Sequence, residues 1–334
     1  MNEVNVNAKK AFSGVGLIYT ILSSVVTGLQ LVVSAIGVAI QNNTSVVLSV
    51  DLQIMINSVI LYVIGLLILQ VGLKKQNLPI IELKKHRMYF SDILKAFCMC
   101  YAVLIASNII GLLLTTAIGI LKGSPIINPV AELATQMSIP VLFIFTVICA
   151  PIFEELFFRK YIIDRVVNFG EVPAVLLSGF MFGLFHGNLS QFPYAFTIGV
   201  FFGILYVRTG KILYPVVLHA MVNFMGSVAS VMVLKGVSTE FMNGMTTAAT
   251  EAELLGLFTP ENLVGLIGLL VFEVLICIIV IIGIILWILN WKKIVFYTRE
   301  QDMDKGTRLK TAIVNPGMTA YTVLWICMII YSLF

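Results

Sequence analysis

Charge is what this sequence has least of: Asp, Glu, Lys and Arg together make up 11% of its 334 residues. That supply excludes an ordinary soluble domain, in which about a quarter of residues are charged. Cysteine is scarce as well. The five (Cys98, Cys100, Cys149, Cys277, Cys327) lie in apolar segments without zinc-like spacing and read as buried thiols rather than a disulfide or metal framework. There is no His-Glu-x-x-His, no pair of Asp residues inside apolar segments, and no Gly two residues before Ser178, which precedes Gly179. Internal repeats and low-complexity tracts are also missing.

What is present is apolar. Hydrophobic residues make up 59% of the chain and the mean hydropathy is +1.02. Runs of about 18 or more apolar residues recur, each long enough for a hydrocarbon core of about 30 Å. The expected fold class is an all-α polytopic membrane protein of about 8–9 transmembrane helices, with spans near 12–40, 54–73, 92–121, 138–168, 172–189, 191–208, 212–234, 262–290 and 312–334. The first stretch exceeds a signal-peptide core and has no A-x-A site behind it, so it reads as a retained span. A cytoplasmic N-terminus and an external C-terminus, in the cell membrane, put all of the 21 Lys and Arg residues inside except Lys122 and Lys235. The net charge of +4 is thereby explained by topology, without nucleic acid. Three parts are expected: N-terminal helices (1–136), a polar-bearing membrane core (137–234), and an external loop with C-terminal helices (235–334). The loop 235–261 reads as a solvated connection, and Lys292–Lys310 as a stretch lying on the membrane surface.

Against this background Glu154 and Glu155 stand out, because a carboxylate in hydrocarbon costs roughly 2.5–3.5 kcal/mol or more. Neighbouring helical residues point about 100° apart, so the two cannot share a direction. Arg159 follows Glu155 at i+4, the spacing of a helical ion pair, which leaves Glu154 free. Glu154 and His186 each lie 16 residues from Gly170, about 24 Å along an antiparallel hairpin, and are expected to meet at one depth. His219 and Asn223, also i and i+4, share a helical face; taken alone they read first as interhelical hydrogen-bonding groups, and they also suit the stabilisation of an oxyanion. Gly199 and Gly203 form a small-xxx-small pair for close helix approach. Glu273 sits deep in an apolar span, where it would line a cavity or pair with a polar group of the bundle.

The motifs Glu-Glu-x-x-x-Arg (Glu154, Glu155, Arg159), Phe-x-x-x-His (Phe182, His186) and His-x-x-x-Asn (His219, Asn223) resemble those of the CAAX protease and bacteriocin-processing (CPBP) family, the type II CAAX-prenyl endopeptidases and their bacterial relatives. The resemblance covers about residues 137–226. It implies an intramembrane glutamic endopeptidase in which Glu154 acts as general base with His186 assisting. His219 and Asn223 would stabilise the oxyanion, while Glu155 and Arg159 orient the site and Phe182 packs on His186. The implied partners are the lipid bilayer and a peptide or membrane-protein substrate; no cofactor is required, and the oligomeric state is left open. Two alternatives keep the same residues: a zinc-dependent metalloprotease with Glu and two His as ligands, and a non-catalytic immunity or scaffold protein.

Overall fold

A computed structural model describes residues 3–247 and 250–334, and among these every regular element is helical. Nine apolar helices follow one another: α1 (Glu3–Asn43), α2 (Val50–Lys75), α3 (Phe90–Lys122), α4 (Ile139–Phe169), α5 (Glu171–Phe185), α6 (Phe192–Thr209), α7 (Leu213–Lys235), α8 (Pro260–Lys293) and α9 (Pro316–Tyr331). Seven are long and apolar enough to cross a membrane; α5 and α9, with 15 and 16 residues, are shorter. The architecture is therefore the expected polytopic helical one.

Several boundaries differ from expectation for identifiable reasons. α1 begins at Glu3 rather than near residue 12, because Lys9 and Lys10 are good helix formers. α5 stops at Phe185, before the end of its apolar run, because Gly187 takes a left-handed conformation (φ 66°) and Asn188 accepts from Gln191 N. α9 starts at Pro316 rather than at residue 312: the proline occupies the first turn, where its missing N–H costs nothing, and Asn315 caps Met318 N. The 235–261 connection is largely helical, with short helices Thr239–Thr247 and Glu251–Gly256 joined by a T-shaped Phe241–Phe258 contact. Residues 248 and 249 of that connection lie outside the described residues.

The middle of the bundle is the α5–α6 hairpin, held so closely that side chains are excluded at the crossing. A Cβ on Gly179 would lie 2.8 Å from Val200 N, and one on Gly199 would lie 3.0 Å from Gly179 Cα. Phe157 and Phe158 of α4, Phe182 of α5 and Phe202 of α6 fill the space beside this crossing, all fully buried. α1 and α9 close one flank: Tyr19 donates to Phe157 O, Tyr321 to Met181 O, and Trp325 Nε1 to Ser23 Oγ. α8 is mostly outward-facing, and Glu273 lies exposed on it rather than lining a cavity inside the bundle. Cys277 and Cys327 are likewise exposed, not buried as expected, because they fall on the outer sides of α8 and α9.

Two connecting stretches are strapped across the basic end of the bundle. In the first, Ile81 N donates to Asp164 O, His86 N to Thr209 O and Met88 N to the Tyr214 hydroxyl. In the second, Arg299 and Tyr297 N donate to the buried carboxylate of Glu171, which also accepts from Arg208. Lys292–Lys310 is thus not simply laid on a surface. A carboxylate sealed beneath the hairpin must be neutralised, and Arg299 does part of that.

Glycine in a helix usually gives way to alanine with a gain of roughly 0.5–1 kcal/mol. Gly179→Ala is expected to do the reverse and lower the thermal midpoint in detergent, because the new methyl meets the Val200 backbone. Gly28→Ala, where a Cβ meets nothing within 4 Å, is the matched control and should be neutral or stabilising.

Candidate functional site

Glu155 and Arg159 are both fully buried in α4. Their pairing is bidentate: Arg159 Nε donates to Glu155 Oε2 at 2.9 Å and Nη2 to Oε1 at 3.2 Å. A third donor reaches the same carboxylate from α7, His219 Nδ1 at 2.9 Å from Oε1. Since a carboxylate only accepts, Nδ1 carries its proton and Nε2 is turned away from Glu155. Arg159 is completed from α5, where Nη1 donates to Ser178 Oγ at 3.1 Å and that hydroxyl donates to Phe158 O at 2.7 Å. Its guanidinium also lies 4.5 Å from the centre of the Phe182 ring. Ser178 is therefore committed to holding Arg159, which gives it a supporting part rather than that of a nucleophile.

Glu154 points elsewhere, as the helical spacing requires. Its side chain is 19% exposed where that of Glu155 is 0%, so Glu154 is the acid of the pair that a ligand can reach. The imidazole beside it is His219, whose Nε2 lies 3.8 Å from Glu154 Oε2, a gap that one water can bridge. His219, rather than the expected His186, is thus the imidazole within 4 Å of the Glu154 carboxylate, and no direct hydrogen bond joins Glu154 to His186. Equal depth on a hairpin does not fix rotation about the helix axis, and α7 presents its own histidine first.

His186 stands just past the end of α5. Its Nδ1 donates to Phe182 O at 2.9 Å, which leaves Nε2 as a bare acceptor. Phe182 is the wall shared by both histidines, edge-on to His186 at 4.8 Å and to His219 at 5.8 Å between ring centres. Asn223, one turn beyond His219, donates from Nδ2 to the backbone oxygen of Thr146 at 2.8 Å. One amide hydrogen is thus already used in an interhelical bond. Of the residues singled out in the sequence, Glu154, Glu155, Arg159 and His219 form one contiguous cluster. His186 joins it through Phe182, and Asn223 borders it.

Local backbone departures accompany the cluster. α4 changes to π-helical hydrogen bonding at Phe143–Cys149 and again at Leu156–Lys160, and α7 does so at Phe224–Ala229, directly after Asn223. Such wide turns concentrate at functional sites, since they turn backbone carbonyls towards other donors. Here Phe157 O, Phe158 O and Thr146 O accept from Tyr19, Ser178 and Asn223. The supporting part of Ser178 is not visible in the sequence, because nothing in its neighbourhood names Arg159. The one sequence sign of the first π-turn is Pro151, seated inside the helix. Among the described residues no group of three His, Cys, Asp or Glu is placed to hold a metal ion.

Residues 136–225 match the family model described as type II CAAX prenyl endopeptidase Rce1-like. Among curated proteins, the chain is 29% identical over 130 residues to the membrane-embedded CAAX protease MroQ of Staphylococcus aureus, an overlap of 36% of this chain and 51% of that protein. It is 34% identical over 99 residues to the putative membrane peptidase YdiL of Bacillus subtilis, covering 29% of this chain and 40% of that one. The chain thus spans about half, or less, of the length of these relatives. No solved structure matches.

Removing one member of a buried ion pair leaves the other uncompensated, at a cost of about 3–5 kcal/mol. Arg159→Met is expected to destabilise the protein by that order, read as a loss of folded material in thermal scans in detergent. The double variant Glu155→Leu/Arg159→Met should recover much of the loss, because it removes both charges together.

Proposed function

We propose that the chain is an intramembrane endopeptidase that hydrolyses a peptide bond of a membrane-associated peptide or protein, a reading supported by the match of residues 136–225 to the type II CAAX prenyl endopeptidase model. The observation that carries this reading is the division of labour between adjacent carboxylates. Glu155 is sealed by three donors, and Glu154, beside the same imidazole, is left accessible. A scaffold has no use for a reachable acid in an apolar core, whereas hydrolysis needs one to take a proton from water.

In this reading Glu154 is the general base. Water held by Glu154 and by the bare Nε2 of His186 loses its proton to Glu154 as its oxygen attacks the peptide carbonyl. The same proton then passes to the leaving amine. His219, with Nδ1–H fixed on Glu155, turns Nε2 towards the reaction centre. A proton at that nitrogen serves the developing oxyanion, and Asn223 supplies its second amide hydrogen from the next turn. Arg159 and Ser178 do not touch substrate; they hold Glu155, which holds His219.

The substrate class follows from position. Glu154 lies 16 residues from the turn at Gly170, about 24 Å along a hairpin whose charged end protrudes, which supports a site within the membrane nearer the cytoplasmic side. A substrate that is itself a membrane segment or a lipid-anchored peptide meets the site at that depth. The basic end is oriented to the cytoplasm by the positive-inside rule.

The test is proteomic. Membranes carrying the wild-type chain are compared for new peptide N-termini with membranes carrying Glu154→Ala, His186→Ala or His219→Ala. New termini that appear with the wild type and fall by about 10²–10⁴-fold in each variant are expected. Identical sets of termini for wild type and Glu154→Ala would leave the scaffold reading. A zinc mechanism using the same residues instead predicts loss of the cuts after exhaustive chelation, and glutamate chemistry predicts their persistence.

A further inference from the structure

Pro151 stands in the interior of α4, three residues before Glu154, where proline is ordinarily excluded because it lacks an N–H and crowds the preceding turn. Its consequence is visible one turn earlier. In an α-helix the N–H of residue 150 would serve the carbonyl of Thr146; here Ala150 N donates to Phe145 O instead, the π register. In that register the carbonyl of Thr146 waits for the N–H of residue 151, which is proline. Thr146 O therefore has no donor along its own helix, and in a half-buried position of an apolar helix a carbonyl without a donor is costly. The donor comes from α7: Asn223 Nδ2, at 2.8 Å.

This bond also settles which end of the Asn223 amide faces α4. Only nitrogen can donate to a carbonyl, so Nδ2 points to Thr146 and the side chain cannot flip. Hydroxyl contacts lock the two helices at the same level. Thr146 Oγ1 and Ser227 Oγ lie 2.9 Å apart, and Ser227 Oγ donates to Asn223 O. Asn223 also sits where α7 enters its own π-turn, so both partners meet at departures from α geometry.

We infer that Pro151 is a positioning residue: by denying the Thr146 carbonyl an in-helix donor, it recruits and aims the amide of Asn223. The inference rests on the endopeptidase reading for its effect on rate, but not for its structural half. It assigns Pro151 no contact with substrate.

Pro151→Ala supplies the missing N–H, and removing proline from a helix interior favours helix, so the variant is expected to fold. In proteoliposomes, with the peptide that carries the Glu154-dependent cut as probe, kcat should fall by about tenfold to a hundredfold with KM unchanged, the scale of a small misplacement of a reacting group. Combined with Asn223→Ala, the proline variant should add no further loss, since both act through one amide. Amide hydrogen exchange over residues 143–152 should slow as the segment closes into α register. An unchanged kcat, or losses that multiply in the double variant, would overturn the inference. A wild type with no Glu154-dependent cut would instead sink the endopeptidase reading, and unchanged exchange in Pro151→Ala would sink the structural half independently.

Discussion

The site rests on the need to neutralise one buried carboxylate. Glu155 is fully enclosed, and a charge so placed is tolerated only with its partners in good geometry. Three donors meet that demand, two from Arg159 and one from His219. Arg159 then requires Ser178 and the Phe182 face, so a single carboxylate ties α4, α5 and α7 together. What is fixed as a by-product is the tautomer and direction of His219. Glu154 can stay partly accessible because its neighbour takes up the available donors.

The same structure uses its backbone in an unusual way. In a membrane every carbonyl must find a donor within the protein, and the ordinary helix satisfies this internally. By opening π-turns, α4 offers oxygens to other helices without breaking its own path. Tyr19, Ser178 and Asn223 take up these offers from α1, α5 and α7. Helix packing in lipid lacks a hydrophobic drive, so such polar contacts, with close glycine crossings like Gly179 on Gly199, give the bundle its specificity.

Much of this was legible beforehand because it depends on local spacing. Nine apolar runs correspond to nine apolar helices, and Glu155–Arg159 at i+4 is bidentate even though a π-turn begins between them. The illegible part depends on rotation and on long-range contacts. Matched depth suggested His186 for Glu154, yet α7 brings His219 closer, since the phase of a helix about its axis is set by packing partners rather than by length. Pro151 could be seen in the sequence, but the oxygen it frees points to a residue 77 positions away. Glu273 misled for a similar reason: a polar residue in an apolar run signals cost, and the sequence does not say which side of α8 meets lipid.

The segment that matches the family model ends at residue 225, yet it does not complete its own interior. The phenolic group of Tyr19 from α1 satisfies Phe157 O, next to the glutamate-bearing turn, and Tyr321 from α9 satisfies Met181 O, next to Phe182. Both tyrosines are fully buried and edge-on to one another, with ring centres 6.4 Å apart. Withdrawing either would strand a backbone oxygen beside a residue that orients the site, at about 1–3 kcal/mol for an unsatisfied buried acceptor. Helices from both ends of the chain thus belong to the site energetically, although neither carries a chemical group that reaches it. Short-range motifs specify the polar cluster, and distant aromatic residues complete the packing and hydrogen bonds around it.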